Sequence, residues 1–465
     1  MHAFLVSAAH KSSGKTTLTI GLAAELRRRG LAVQPFKKGP DYIDPLWLSA
    51  AAGRACRNLD FYTSGREEIA SAFVRHAGDA QVAIVEGNKG LYDGLDLDGS
   101  NSNAALARLL ELPVVLVIDA RGMTRGIAPL LLGYRDFDRA LRFAGVVLNR
   151  LGGDRHEAKL RAVIEHYTDL RVLGAVHENP AMAIPERHLG LVPENEAQGA
   201  AATIEAIRAA VAREVDIDAL LAVTLRPPLV PAAARADATG PAPAARPASV
   251  TVAVARDRAF GFYYAEDFEA FERAGARLAF FDTLRDARLP ACDAVFIGGG
   301  FPECFLEALA ANAPLRAELR ARLAGGLPAY AECGGLMYLA RSIDWHGRRA
   351  PMVGAIPADV VMRERPTGRG YVRLRVVAGH PWGLAAGREI RAHEFHYSTL
   401  VEGEPARAYC YEVLRGHGID GAHDGLRIGN LLASYTHLRA TADFDWPAHF
   451  VAFVHATRSP AAAAG

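Results

Sequence analysis

Cysteine is scarce in this chain, and the few present are scattered. Cys56, Cys292, Cys304, Cys333 and Cys410 are the five in 465 residues. They form no CxxC pair and no metal-ligand spacing, which excludes a disulfide scaffold and a zinc module. Such usage fits a reducing compartment, and a cytoplasmic location is expected. Charge of one sign is also missing. Lys and Arg total 53 against 52 for Asp and Glu, with no long like-charge block, so no nucleic-acid partner is expected. No apolar run approaches the roughly 20 residues of a membrane-crossing helix, so no membrane association is expected either. The opening Met1-His-Ala-Phe-Leu-Val6 leads straight into a phosphate-loop pattern, and no secretory leader is read there.

Half of the residues are apolar, enough for two or three substantial cores. The stretch 226–248, RPPLVPAAARADATGPAPAARPA, has no aromatic residue and is dominated by Pro and Ala. Such a segment cannot build a core and reads as a linker. It divides the chain into domains at 1–225 and 249–459, with an Ala-rich tail at 460–465 expected to be disordered. In each half, short apolar β-rich runs alternate with helical patterns. The strand candidates are Ala3–Ala8, Val33–Phe36, Val82–Glu86, Val114–Asp119, Phe143–Asn149 and Val172–Val176, then Val250–Ala255, Leu278–Phe281, Ala294–Gly298, Pro328–Ala331 and Asn430–Ser434. This alternation predicts an α/β protein of two doubly wound, mostly parallel sheets.

In Pro328-Ala-Tyr-Ala-Glu-Cys-Gly-Gly-Leu-Met337 a strand pattern breaks at Cys-Gly-Gly and a helical pattern follows. A nucleophile on such a turn needs small neighbours, because the backbone is strained and lies close to the substrate. Cys333 is therefore a candidate nucleophile rather than a structural thiol. Ala294-Val-Phe-Ile-Gly-Gly-Gly-Phe-Pro-Glu303 ends a strand in glycines. The N–H groups of Gly299 and Gly300, with that of Gly334, are candidates for an oxyanion hole. A thiol also needs a base to form the thiolate and then to protonate leaving ammonia. His437, in Leu432-Ala-Ser-Tyr-Thr-His-Leu438, competes for that role with His393 and His396. Its position after a late strand favours it.

The first half opens with Phe4-Leu-Val-Ser-Ala-Ala-His-Lys-Ser-Ser-Gly-Lys-Thr-Thr17, a strand, a loop and a helix start. This is a phosphate loop with Ala9 in place of its first glycine. Ser13, Gly14, Lys15, Thr16 and Thr17 are candidates to hold nucleotide phosphates, with Lys15 on the β and γ oxygens and Thr16 on Mg²⁺. Asp41 and Asp44 follow a strand. Glu86 ends a buried strand, and Asp93 lies in the Gly-rich loop beyond it. Carboxylates at the carboxyl ends of parallel strands face a phosphate loop and can hold Mg²⁺. Metal binding is the better reading for Glu86. For Asp44, metal ligand and turn acid are evenly matched. Asn149 ends another strand and is a candidate to read adenine.

These segments, in one order, carry a resemblance. Ser-Gly-Lys-Thr-Thr17, Lys38-Gly-Pro-Asp-Tyr-Ile-Asp44, Gly90-Leu-Tyr-Asp-Gly94, Pro185-Glu-Arg-His-Leu-Gly190, Gly299-Gly-Phe-Pro-Glu303, Ala331-Glu-Cys-Gly-Gly-Leu-Met337, His393-Glu-Phe-His-Tyr-Ser398 and Ser434-Tyr-Thr-His437 make the chain resemble the cobyrinic acid a,c-diamide synthases over essentially its whole length. The first half looks like dethiobiotin synthetase and the second like a class I Cys-His glutamine amidotransferase. The resemblance implies an ATP- and glutamine-dependent ligase that amidates the a and c acetates of an acidic tetrapyrrole, with ATP and Mg²⁺ as cofactors. It implies that Cys333 is the nucleophile and His437 its activator. It implies Mg²⁺ and nucleotide around Lys15, Thr16, Asp41 and Glu86, with Tyr42, Asp44 and Asp93 on the substrate side. A homodimer is among the expected assemblies.

Two departures stand out. Many class I glutaminases carry Glu two residues after the histidine, where this chain has Arg439. A dyad, or a carboxylate from elsewhere, is therefore expected. The polar Asn88-Lys89 stands where cobyrinate enzymes have an apolar pair, which looks more like the siroheme amidases. Siroheme or a nickel sirohydrochlorin is thus the rival substrate. The rival outside enzymes is a nucleotide switch with an idle glutaminase domain. Arg363, Arg365 and Arg369 are candidates to steady an acidic substrate, or ordinary solvated loop charges. Ammonia released in one domain and used in the other calls for a protected path.

Overall fold

Period-two burial within short apolar runs decides the architecture. In Ala3–Ala8 the side chains of Ala3 and Leu5 join one core and those of Phe4, Val6 and Ala8 another. A strand covered on both faces has to be largely apolar, and in this one Ser7 is the single polar residue. A computed structural model describes residues 1–187, 190–227, 249–401 and 408–458. The linker core 228–248 and the tail 460–465 lie outside the described residues. The chain forms two units, Met1–Thr239 and Gly240–Gly465.

The first unit runs β1 His2–Ala8, α1 Lys15–Arg28, β2 Val33–Lys38, α2 Ile43–Ala52, β3 Arg57–Leu59, α3 Arg66–Ala77, β4 Val82–Glu86, α4 Asn103–Leu110, β5 Val114–Asp119, α5 Ile127–Phe137, β6 Phe143–Leu151, α6 Asp154–Tyr167, β7 Val172–His177, a minor hairpin β8 Glu186–Arg187 and β9 Gly190–Leu191, α7 Ala200–Glu214 and α8 Ile217–Thr224. Its main sheet has the order β3-β2-β4-β1-β5-β6-β7, and every pairing is parallel. Helices α1, α2, α7 and α8 cover one face, and α3 to α6 the other.

The second unit runs β10 Val250–Ala255, β11 Phe260–Phe262, α9 Ala265–Arg273, β12 Ala276–Phe281, β13 Ala294–Ile297, β14 Gly299–Gly300, α10 Leu306–Ala311, α11 Ala313–Ala324, β15 Ala329–Glu332, α12 Gly334–Leu339, β16 Ser342–Trp345, β17 Arg348–Pro351, β18 Asp359–Met362, β19 Gly368–Val376, β20 Glu389–His396, β21 Ser398–Val401, β22 Ala408–Arg415, β23 His423–Ile428, β24 Leu431–Ser434 and α13 Trp446–Arg458. Its large sheet, β12-β10-β13-β15-β24-β23-β22-β19-β20, is parallel through β24 and antiparallel beyond it. The antiparallel extension was not read from the sequence. Its strands alternate exposed arginines with buried apolar residues, as in Arg373-Leu-Arg-Val376, the pattern of a sheet with one face in water. No helix among the described residues is long and apolar enough to cross a membrane.

Candidate active sites

In the first unit the phosphate loop joins β1 to α1. Ser12 and Gly14 both take left-handed backbone angles, φ 61° and 90°. The amide of Asn149, at the end of β6, donates to Ser13 O at 2.9 Å, and the Arg150 guanidinium donates to Ser12 O at 2.8 Å. Asn149 thus lies under the loop as a clamp. A Cβ at Gly14 would fall 2.0 Å from its Nδ2, so with φ 90° a larger residue would both strain the backbone and push the Asn149 amide aside. Lys15 is buried. Burial first, then the neighbouring Lys37, lowers its pKa to about 8. Thr17 follows in the first turn of α1, half-buried.

Three carboxylates converge at the carboxyl ends of β2 and β4. The Thr16 hydroxyl donates to Glu86 Oε1 at 2.8 Å and lies 3.3 Å from Asp44 Oδ2. Lys37, a residue the motif reading passed over, donates to Asp44 and to Glu86 Oε1 (2.6 Å), with Asp41 Oδ2 at 3.8 Å. Burial alone would neutralise this ammonium, but the carboxylates outweigh it and hold its pKa well above the usual range. The charges divide unevenly. Burial raises Glu86. Burial and Asp44 together raise Asp41 to about 7. Asp44, against the same burial, is held down by Lys37. The sequence signal for Lys37 was its place in β2, whose every residue is buried.

The structure brings Asp44 to Thr16 and Glu86, while Asp41 lies further out, its Oδ1 accepting the Ile43 and Asp44 N–H groups that open α2. Glu86 Oε2 is buried without a hydrogen-bond partner. No ready-made cage of three His, Cys, Asp or Glu ligands exists among the described residues. A hydroxyl, two carboxylates and one orphaned oxygen suit a Mg²⁺ ion that brings phosphate oxygens with it. Tyr42 is a mostly buried residue at the start of α2. Asp93 is exposed, and its Oδ2 accepts the Gly90 N–H at 2.8 Å in the loop beside Ala9. Asn88 of the polar pair has a local explanation. Asn88 Oδ1 accepts from the buried Lys38 ammonium at 3.0 Å, so Asn88 answers a lysine.

In the second unit Cys333 follows β15 with φ 49° and ψ −103°, a strained conformation for a non-glycine residue. A Cβ on Gly335 would lie 2.1 Å from Ile297 O, and one on Gly334 would lie 2.8 Å from Gly300 O. The small residues let α12 start against the glycine strand β14. The thiol is buried and donates to Phe395 O at 3.8 Å. Burial, then Glu303, pushes its pKa far up, against the opposing Gly334 N–H. The resting sulfur is therefore a neutral thiol, and a base is required.

His437 is buried with its Cε1 against Gly299, where a Cβ would come within 2.5 Å. Gly300, Gly334, Gly299 and His437 are thus contiguous. The rival histidines are stacked behind them. His393 lies face to face with His437 at 5.0 Å and 17°, and its backbone carbonyl accepts the His437 N–H at 2.8 Å. Burial, then His437, holds its pKa well below the usual value, so this ring is neutral. His396 stacks on Tyr435 at 3.9 Å. Buried carboxylates fasten the loop on both sides of His437. Asp424 accepts the Tyr435 and Thr436 N–H groups at 3.0 Å each, Glu332 accepts that of Leu438 at 2.8 Å, and Asp267 accepts that of Ala440 at 2.6 Å.

Arg439 points away from His437, 3.4 Å from Glu266 Oε1 and over the Tyr264 ring. The second oxygen of Glu332, Oε2, lies 3.4 Å from His437 Nδ1. Asp424, Asp267 and Glu332 were absent from the sequence reading. The only signal for any of them was the position of Glu332 beside the cysteine. Among the arginines considered for an acidic substrate, Arg363 donates to Thr399 Oγ1 and Arg369 covers the Phe395 ring.

Residues 5–192 match the family model of the CobQ/CobB/MinD/ParA nucleotide binding domain, and 251–443 that of the CobB/CobQ-like glutamine amidotransferase domain. Three relatives align over nearly the whole chain. A cobyrinate a,c-diamide synthase of Magnetococcus marinus is 45% identical over 95% of this chain and 94% of its own. One of Salmonella typhimurium is 39% identical over 94% and 95%. A hydrogenobyrinate a,c-diamide synthase of Brucella ovis is 39% identical over 94% and 98%.

Proposed function

The chain belongs to the cobyrinate a,c-diamide synthase family, and on that premise we propose that it uses ATP and glutamine to amidate the a and c acetates of cobyrinic acid in cobalamin biosynthesis. The observation that carries this reading is the end-to-end alignment with synthases of that name, in which both halves are shared. The polar Asn88 does not count against it, since Asn88 serves Lys38.

Glutamine enters the second unit. His437 takes the thiol proton of Cys333, and the sulfur adds to the side-chain amide carbon. The N–H groups at Gly334 and along Gly299–Gly300 face the oxygen that gains charge. Ammonia leaves with the proton from His437, and water hydrolyses the thioester. In the first unit the ATP phosphates lie along Ser13–Thr17 with Lys15 on the β and γ oxygens, while Asn149 fixes the loop beneath. Thr16, Glu86 and Asp44 would hold Mg²⁺, which offsets the phosphate charge. Lys37 adds a second fixed cation at the same place. Tyr42 and Asp93 lie on the acceptor side. An acetate carboxylate is too poor an electrophile for ammonia, so it first takes the γ-phosphoryl group. Ammonia then displaces phosphate from the acyl phosphate.

Product masses test the reading. Purified protein with ATP, Mg²⁺ and glutamine is offered cobyrinic acid, hydrogenobyrinic acid and siroheme in parallel. Gain of two amides on cobyrinic acid is expected. Amidation of siroheme alone would overturn the substrate, and amidation of none would overturn the function. Cys333→Ala should abolish the glutamine-dependent reaction and keep the ammonia-dependent one. Sedimentation velocity tests the proposed homodimer.

A further inference from the structure

A histidine that serves a thiol as base must keep one ring nitrogen unprotonated and aimed, which requires something to hold the proton on the other. The residue two places after His437 cannot do this, because Arg439 is a cation turned toward Glu266 and Tyr264. Glu332 is placed to do it. It is the last residue of β15, paired in register with Ser434 at the end of β24. Alternation along β15 buries Ala329 and Ala331 in one core and Tyr330 in the other. Glu332 therefore shares the Tyr330 face, which is also the face of Leu438. Its Oε1 accepts the Tyr330 hydroxyl and the Leu438 N–H, each at 2.8 Å, and its Oε2 is left facing His437 Nδ1 at 3.4 Å. Both side chains are buried, at 2% and 3% exposed, so the pair lies out of bulk solvent.

We infer that Glu332 is the positioning carboxylate of the glutaminase, holding the His437 proton on Nδ1 so that Nε2 can take the Cys333 proton. This rests on the reading of Cys333 and His437 as the glutamine-hydrolysing pair. The third member of the constellation comes from the residue before the nucleophile. It stabilises the imidazolium that forms when the thiol proton moves to Nε2, and the same proton then leaves with ammonia. Because Oε1 is committed to the backbone of Leu438, one side chain fixes both the loop carrying the histidine and the orientation of its ring.

Glu332→Gln tests this. The glutamine side chain keeps an oxygen for Tyr330 and Leu438 but turns an NH₂ donor toward Nδ1, which favours the wrong tautomer. We expect normal melting, retained ammonia-dependent amidation, and a glutaminase kcat lower by roughly 10²–10⁴ with little change in KM for glutamine. Tyr330→Phe, which removes only a bond to Oε1, should stay within about threefold of wild type. A folded Glu332→Gln protein with kcat within about threefold of wild type overturns the inference. Imidazole ¹⁵N spectra of the unaltered protein, with His437 assigned by difference from His437→Gln, decide the matter even if Glu332→Gln fails to fold. A proton on Nδ1 supports the assignment, and a proton on Nε2 overturns it. Glutamine use that survives Cys333→Ala would instead sink the glutaminase reading itself.

Discussion

The backbone N–H of Cys333 donates to the carbonyl of Ser434 at 2.7 Å. It extends the parallel ladder of β15 and β24 one residue beyond its last register pair, Glu332 with Ser434. The proposed nucleophile and the loop of the proposed base thus leave adjacent strands at the same level, and the strained turn at Cys333 is tied to the segment that presents His437. Strain at such a turn persists only where surrounding bonds over-determine it.

The glycines around that turn should be intolerant of a single methyl. A Cβ on Gly335 would meet Ile297 O at 2.1 Å and one on Gly300 would meet Ala259 O at 1.9 Å. Both obstacles are backbone, so no side-chain rotation relieves them. Gly335→Ala should push α12 off the end of β13, and Gly300→Ala should push β14 off the Ala259–Phe260 backbone. The expected loss of glutamine-dependent turnover is on the order of 10²-fold or more, with ammonia-dependent amidation largely kept, since small misplacements in a positioned site have such effects. Steady-state assays with the two nitrogen donors measure it. Equal losses with both donors would mean that the collision unfolds more than the local turn.

The phosphate loop yields a prediction about Asn149. Its amide holds Ser13 O beneath the nucleotide site and occupies the space a Gly14 side chain would take. Removing it leaves the left-handed turns at Ser12 and Gly14 supported from β6 mainly by Arg150. A net hydrogen bond of this kind contributes about 1 kcal/mol, so Asn149→Ala should weaken ATP binding by roughly five- to tenfold, with kcat less affected. Titration calorimetry with ATP reads the change. An undiminished affinity would show that the loop holds its shape without the clamp.

Most of the parallel frame was legible in the sequence because buried strands are apolar on both faces, as Val82–Glu86 and Val114–Asp119 are. The eleven stretches read as strands each coincide with an observed one to within one or two residues at each end. The proposed site residues that sit on motifs, Cys333, Lys15 and Glu86, could be singled out because each lies on a local strand-to-loop pattern. What escaped was built from pairs far apart in the chain. Asp424 fastens Thr436, Asp267 fastens Ala440, and Lys37 finds Glu86 across the sheet. No local pattern marks such partners, because each looks like an ordinary polar residue until the strands are aligned. Glu332 was hidden differently. It stands beside the cysteine, but its meaning depends on Arg439 standing where a glutamate would otherwise be.

A buried histidine away from both sites should make the second unit sensitive to mild acid. His380 accepts the Trp382 N–H on Nδ1 at 3.1 Å, so its proton resides on Nε2, 2.9 Å from the Tyr411 hydroxyl. Burial, then Arg427, lowers its pKa to about 3. The unfolded chain should titrate near the ordinary value of about 6.5. The folded state therefore binds the proton less readily than the unfolded state. Its stabilising contribution is complete above about pH 6.5 and erodes as pH falls through the window toward 3, at up to about 1.4 kcal/mol per pH unit. Between pH 7.5 and 5 this amounts to about 2 kcal/mol. His380→Asn keeps an acceptor for the Trp382 N–H but cannot titrate. Chemical denaturation at the two pH values should show a loss of stability smaller by about that amount in the variant. All other side chains are identical in the two proteins, so their contribution cancels in the comparison. Equal losses in the two proteins would show that His380 is not the source of the acid sensitivity.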